Sequence, residues 1–331
     1  MIMKVVVAAL AAMLAIGATG SAGAAPKFQV SSTSWTAKSR GWALGTDDKG
    51  TALLRTVDGG ASWRRTTTPD IAPGTDRLRV FFANEMAGVI TNGERLFVTR
   101  TGGVTWREVL LPTPQRVSFG AIAADSTSFL VVVSSPAVTQ LYRSPLSGGS
   151  WSPVPGVSVT GAADGDIAML GWRSYVVLAK VHEERRYWVN GRLGWQEAKP
   201  PCDVDSATKL SAVENAVFAL CSWNPGQGFM FKELRQATVD GEFATVSRGP
   251  DQGITIDLAA ASQSTAVVSA VGIGAGWLHR SVKGEWTTPF VQEGGPLFDL
   301  AFTDPDHGFA VQDGVIYRTS DGGAGWSPLP I

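Results

Sequence analysis

Two pairs of carboxylates are the first groups to test for chemistry. Asp47 and Asp48 sit together, and so do Asp203 and Asp205. Two carboxyl groups facing each other across a cleft are what glycoside hydrolysis requires, one as acid and one as base or nucleophile. Solvated turn aspartates give the same pattern, so the pairs alone do not make an enzyme. The histidines, His182, His279 and His307, form no Ser-His-Asp set by spacing. His307 closes Asp304-Pro-Asp-His-Gly308, which reads as a turn, and Asp304 with Asp306 supplies too few carboxylates for a calcium site. Gly272-Ile-Gly-Ala-Gly276 is followed by neither a lysine nor a helical segment, so it is not a phosphate loop. No metal and no cofactor is expected.

Two stretches are better suited to binding than to catalysis. His182-Glu-Glu-Arg185-Arg186 is the most charged segment and reads as a contact patch for a protein or as a solvated hairpin. Cys221-Ser-Trp223-Asn224-Pro-Gly226 places a tryptophan on a glycine-containing loop, where it could stack on a sugar, anchor a partner or hold down its own loop.

The elements that must carry these loops are repeated. Thr56-Val-Asp58-Gly59-Gly60-Ala-Ser62-Trp63 recurs as Thr319-Ser-Asp321-Gly322-Gly323-Ala-Gly325-Trp326 and as Thr99-Arg-Thr101-Gly102-Gly103-Val-Thr105-Trp106. Weaker copies are Ser144–Trp151, Asn190-Gly191 before Trp195, Asp240-Gly241 before Phe243, and Lys283-Gly284 before Trp286. The closing aromatics at 63, 106, 151, 195, 243, 286 and 326 are spaced 40 to 48 residues apart. That is the size of a four-stranded propeller blade. Each unit also holds short apolar runs between glycine or asparagine turns, such as Leu78–Phe82, Ala87–Thr91 and Leu96–Thr99. The predicted fold is all-β, a seven-bladed propeller, with units at about 28–68, 69–112, 113–155, 156–199, 200–249, 250–291 and 292–331. In the repeat, glycine supplies a tight hairpin, and Asp58 is placed to accept backbone N–H groups across it. Asp58, Gly60, Ser62, Trp63, Gly103, Thr105, Trp106, Asp321, Gly323 and Trp326 are therefore read as structural.

Composition sets the class. Of 331 residues, 44% are hydrophobic and only 17% charged, enough for a large core. The net charge of −1 lacks the basic excess of a nucleic-acid binder. Residues 1–25 read as a secretory signal peptide: Lys4, the apolar run Val5–Ile16, and small residues at Ala22-Gly23-Ala24-Ala25. No later stretch is long and apolar enough to span a membrane as a helix. The mature chain is expected to be secreted or periplasmic, and monomeric. Export makes a Cys202–Cys221 disulfide the first reading, with two free thiols as its alternative.

Thr56–Trp63 matches every defined position of the (Ser/Thr)-x-Asp-x-Gly-x-(Ser/Thr)-Trp repeat. The chain thus resembles Asp-box (bacterial neuraminidase repeat) propellers, a group that includes sialidases, sortilin-type receptors, xyloglucan hydrolases and photosystem II stability/assembly-factor-like proteins. The phrase running from Gly308 to Gly323 looks most like the last of these. The resemblance implies that inter-blade loops and the loops between second and third strands form the binding face, opposite the glycine turns. Arg77, Arg95, Arg116, His182, Arg185, Arg186, Trp223 and Asn224 fall in those loops. No Arg-Ile-Pro motif is present and there are only four tyrosines, which argues against a sialidase. The expected function is a non-catalytic binding or assembly scaffold for a protein partner. The alternative is a carbohydrate-active protein, a glycoside hydrolase or lectin.

Overall fold

The computed structural model describes residues 28–72, 78–111, 116–180, 182–226, 229–239 and 241–331. The leader read at residues 1–25, and Arg77, lie outside the described residues. The chain forms seven sheets, each of four consecutive antiparallel strands in sequential order, arranged as a seven-bladed β-propeller. The blades occupy residues 29–66, 79–108, 118–160, 164–198, 207–248, 254–293 and 298–329. No helix occurs among the described residues.

Two outer strands, Ser152–Thr160 and Glu285–Glu293, run past the unit ends expected at 155 and 291. The closing aromatic marks where an outer strand begins. Pairing with the third strand decides where it ends, as Val138 does opposite Thr160 and Ala275 opposite Glu293.

Burial follows position in the blade. Second strands such as Ser128–Ser134 and Thr265–Gly272 are almost wholly buried, because neighbouring blades cover both of their faces. They therefore read as unbroken apolar runs instead of alternating ones. Outer strands such as Gly194–Ala198 are largely exposed.

Seven separate apolar clusters form the core, one at each blade-to-blade contact, and each contains one of the seven closing aromatics. Trp42 stacks on Phe82 at 3.8 Å between blades 1 and 2, and Trp35 stacks on Phe309 at 3.7 Å between blades 1 and 7. Each such pair is worth about 0.5–1.5 kcal/mol beyond the area it buries. Gly88 and Gly308 permit aromatics of the first strand to lie flat on the second. A Cβ there would meet the Phe82 and Phe302 rings at 2.6 and 2.7 Å.

The repeated turn is a small hydrogen-bonded cage. Thr56 Oγ1 donates to Asp58 Oδ1 at 2.8 Å and accepts the Gly60 N–H at 2.9 Å. Asp58 accepts the Ser62 N–H at 2.9 Å and the Ser62 hydroxyl at 2.6 Å. Gly60 has φ of 89°, which suits glycine. The same cage recurs at Thr319–Asp321–Gly325, and at Thr99–Thr101–Thr105 with a hydroxyl in place of the carboxylate.

Candidate functional site

Hydrogen bonds between loops define two faces. On one, the glycine turns bond to turns joining first and second strands, as in Gly59 N–H to Ser39 O at 2.9 Å and Gly322 N–H to Asp306 O at 3.0 Å. On the other, loops between second and third strands meet the inter-blade connections. Examples are Gly161 N–H to Ala137 O at 2.7 Å and Gly294 N–H to Gly274 O at 3.1 Å.

A cavity of about 1190 Å³ opens on this second face and runs down the channel between the first strands of the blades. Its wall carries Arg79, Ala121, Asp166, Lys209, Asp257 and Asp299, one from each of six blades, and Ser32 is the matching residue of the first blade. At four of the contacts the correspondence is marked by a hydrogen bond, in which the side chain of one blade accepts the N–H one residue after the matching position of the next blade. Asp166 holds Leu210 N–H at 2.7 Å, and Asp257 holds Leu300 N–H at 3.2 Å. Asp299 holds Thr33 N–H at 2.7 Å, and Ser32 holds Val80 N–H at 3.0 Å. These side chains latch the blades together and also present charge to the channel.

The charges are close enough to perturb one another. Burial pushes the Asp257 carboxyl up to about 6, Lys209 pulls it back and Asp166 adds to the push. Burial also raises Asp166 and Asp299. Lys209 is raised because Asp166 and Asp257 outweigh the effect of its own burial. Arg79 lies 3.9 Å from Asp299. Asp166 and Asp257 each hold two backbone N–H groups, so their carboxylates are oriented before any ligand arrives. Such a funnel can bind a charged segment, and a carboxyl poised near 6 can also exchange protons near neutrality.

Of the residues expected in loops, Arg95, Arg116 and His182 lie in loops, whereas Arg185 and Arg186 lie in the strand Glu184–Gly191 and Trp223 and Asn224 in the strand Ala216–Gly226; most are held by a partner. Arg95 is gripped by Glu108 through two 2.8 Å bonds and donates to Asp70 O at 2.9 Å. Arg116 pairs with Glu94 at 3.2 Å and remains highly exposed. His182 lies 3.0 Å from Asp205. Arg186 pairs with Glu197 and lies over Trp188. Arg185 departs from the expected exposed position. It is buried and donates to Ser206 O and Ser206 Oγ, so it fixes the next inter-blade loop instead of facing a partner. Trp223 is 37% exposed and leans on Phe231, over which Arg248 lies. Asn224 is exposed beside it. The candidates are thus spread over several blades and largely neutralised.

Asp47 is tied to Arg65 and to the Lys49 N–H, while the paired carboxylates of the funnel are Asp166 and Asp257. Asp304 caps its own turn, accepting the Asp306 and His307 N–H groups at 3.0 and 2.9 Å. Among the described residues, no three His, Cys, Asp or Glu side chains are grouped to hold a metal. Cys202 and Cys221 form a disulfide, with Cα atoms 5.4 Å apart.

Sequence reasoning missed the funnel. The available signal was a charged residue directly before an apolar run at one register: Lys209-Leu, Asp257-Leu and Asp299-Leu, with Asp166-Ile. A charge entering an innermost strand has no solvated outer face to occupy.

No protein-family model matches this chain, and no curated protein matches its sequence. Solved structures of similar fold do exist. YCF48 bound to a D1 peptide is 19% identical, with 89% of this chain and 94% of that one covered and a TM-score of 0.58. YCF48 from Cyanidioschyzon merolae is 13% identical over 89% and 96%, with a TM-score of 0.59. A virginiamycin B lyase from Staphylococcus aureus is 11% identical over 87% and 92%, also at 0.59. Ring, blade number and strand order together make this chain a seven-bladed β-propeller whose structural neighbours include YCF48 and a virginiamycin B lyase.

Proposed function

We propose that this chain is an exported, non-catalytic binding propeller of the Asp-box, assembly-factor-like kind, which receives a segment of a partner protein at the face where the funnel opens. The observation that carries this reading is the preset ring of charge at the base of an open channel, on a fold similar to a propeller bound to a peptide. Arg79 and Lys209 stand among the carboxyl groups of Asp166, Asp257 and Asp299 and would select a polar or charged segment over an apolar one. The photosystem partner is not carried over; only the mode of binding is. The signal peptide at residues 1–25 supports a secreted or periplasmic location.

A carbohydrate-active role is the second reading. It is favoured by Asp166 and Asp257, two carboxyl groups facing one cavity with Asp257 shifted towards neutrality. Crosslinked pull-down from envelope fractions, run beside a glycan array and a hydrolase panel, separates the two. Capture of a defined partner that is lost in Lys209→Glu supports the first. Polysaccharide cleavage abolished by Asp257→Asn overturns it.

A further inference from the structure

The seven closing aromatics are not all alike. Six are tryptophan, and the one between blades 4 and 5 is Phe243. Two of the tryptophans reach over the outer strand of the preceding blade: Trp106 Nε1 donates to Thr67 O at 2.9 Å and Trp286 Nε1 to Ser247 Oγ at 2.8 Å, whereas Trp326 Nε1 donates to Gly323 O of its own turn at 3.2 Å. Trp106 stands edge-on to Phe82 of its own blade, whereas Phe243 meets Tyr187 of the preceding blade edge-on, with ring centroids 6.0 Å apart at 74°. It lacks the second ring and the N–H.

The missing volume remains open. A cavity of about 280 Å³ is walled by Tyr175, Tyr187, Val217 and Phe243, with exposed Lys199 and Glu242 at its edge. The cavity reaches Ala198 and Lys199, beside the outer strand of blade 4, where an indole at 243 would extend. Tyr187 is 3% exposed, lines this space, and its hydroxyl bonds to no described residue. That hydroxyl offers an incoming polar atom one hydrogen bond. A cavity of about 150 Å³ already accommodates benzene.

We propose that this cavity is a binding site for a planar aromatic ring carrying one polar atom, of the indole or phenol class, with Tyr187 as its hydrogen-bond partner. The ring could come from a free aromatic compound or from a tryptophan or tyrosine side chain of another polypeptide. The site is separate from the funnel and does not depend on the function assigned there.

The test is titration of the whole mature protein with indole and with phenol, followed by ligand-observed NMR. Saturable binding is expected with Kd in roughly the millimolar range or tighter. Phe243→Trp restores the residue used at the other six contacts, so it should fold with an equal or higher thermal midpoint while weakening indole at least about tenfold. Tyr187→Phe provides a second, nearly isosteric variant and should weaken phenol severalfold with the cavity intact. A short peptide with a central tryptophan that displaces indole, when its alanine counterpart does not, identifies the source as a side chain. Failure to displace identifies a free compound. Absence of saturable binding by indole and phenol up to about 10 mM overturns the proposal. So does undiminished indole binding by a folded Phe243→Trp protein together with undiminished phenol binding by Tyr187→Phe.

Discussion

Asp299, in the innermost strand of the last blade, accepts the backbone N–H of Thr33, in the innermost strand of the first, at 2.7 Å. No strand is shared between those two blades, so the ring is closed by side chains and by the Val30 N–H to Gly314 O bond at 3.1 Å. Asp299→Ala would leave the buried Thr33 N–H without an acceptor. A loss of about 1–3 kcal/mol is expected by chemical denaturation. Asp299→Asn, which keeps an acceptor, should recover a good part of it. Equal stability of the alanine variant and the parent protein would show that the latch contributes nothing.

His279 sets one component of the acid sensitivity. It is fully buried, with Nδ1 2.9 Å from Thr288 Oγ1 and Nε2 3.3 Å from Gln252 O. Burial, helped by nearby Lys232, brings it down from 6.5 to about 4. The unfolded chain therefore binds the proton first, and stability falls as pH drops from 6.5 to 4, by on the order of 3 kcal/mol for this group. Asp257, raised to about 6, opposes this trend, because its folded form takes up a proton before the unfolded chain does. His279→Gln should thus reverse or flatten the slope of stability against pH between 4 and 6.5, as read from denaturation midpoints.

The turn at Asp58 makes a spectroscopic prediction. Hydrogen bonds from the Ser62 hydroxyl, the Ser62 N–H and Thr56 hold its carboxyl down to about 2. Its contribution to stability is complete above the ordinary carboxylate range and is lost as pH falls towards 2. Ser62→Ala removes the first of these bonds, so the Asp58 carboxyl carbon should titrate at a higher pH in NMR. An unchanged midpoint would mean that the cage does not act as described.

The disulfide joins Cys202, in the connection entering blade 5, to Cys221 in its second strand, 19 residues on. A loop of that length predicts a loss of about 3 kcal/mol when the link is removed. Cys202→Ser with Cys221→Ser should therefore lower the thermal midpoint without changing the β-sheet content seen by circular dichroism. Mass mapping of the protein without reductant should find no alkylatable thiol.

The number of blades and their phase could be read from the chain alone. A Thr-x-Asp-Gly-Gly turn closes its bonds within eight residues, and its tryptophan follows at a fixed offset, so the repeat is a local property. For the same reason the second strands were recognisable: being buried on both faces makes them plainly apolar. The loop positions of Arg95 and His182 followed once the strands were counted, whereas Trp223 lies within the strand Ala216–Gly226, paired with Phe231. What they touch did not, because Glu108 and Asp205 lie 13 and 23 residues away and reach them only through packing.

The funnel and the cavity beside Phe243 belong to the tertiary structure. Thr33 and Asp299 are 266 residues apart, and Asp166 and Leu210 are 44 apart. Nothing local distinguishes such an aspartate from a solvated one. Only closure of the ring turns the first strands inward, partly buries those carboxyl groups and sets Lys209 among them. Arg185 and Phe243 follow the same rule: one is buried and the other leaves a space because of what the adjoining blade presents. The chain encodes its blades through short-range bonds, whereas its chemistry arises where separate blades meet.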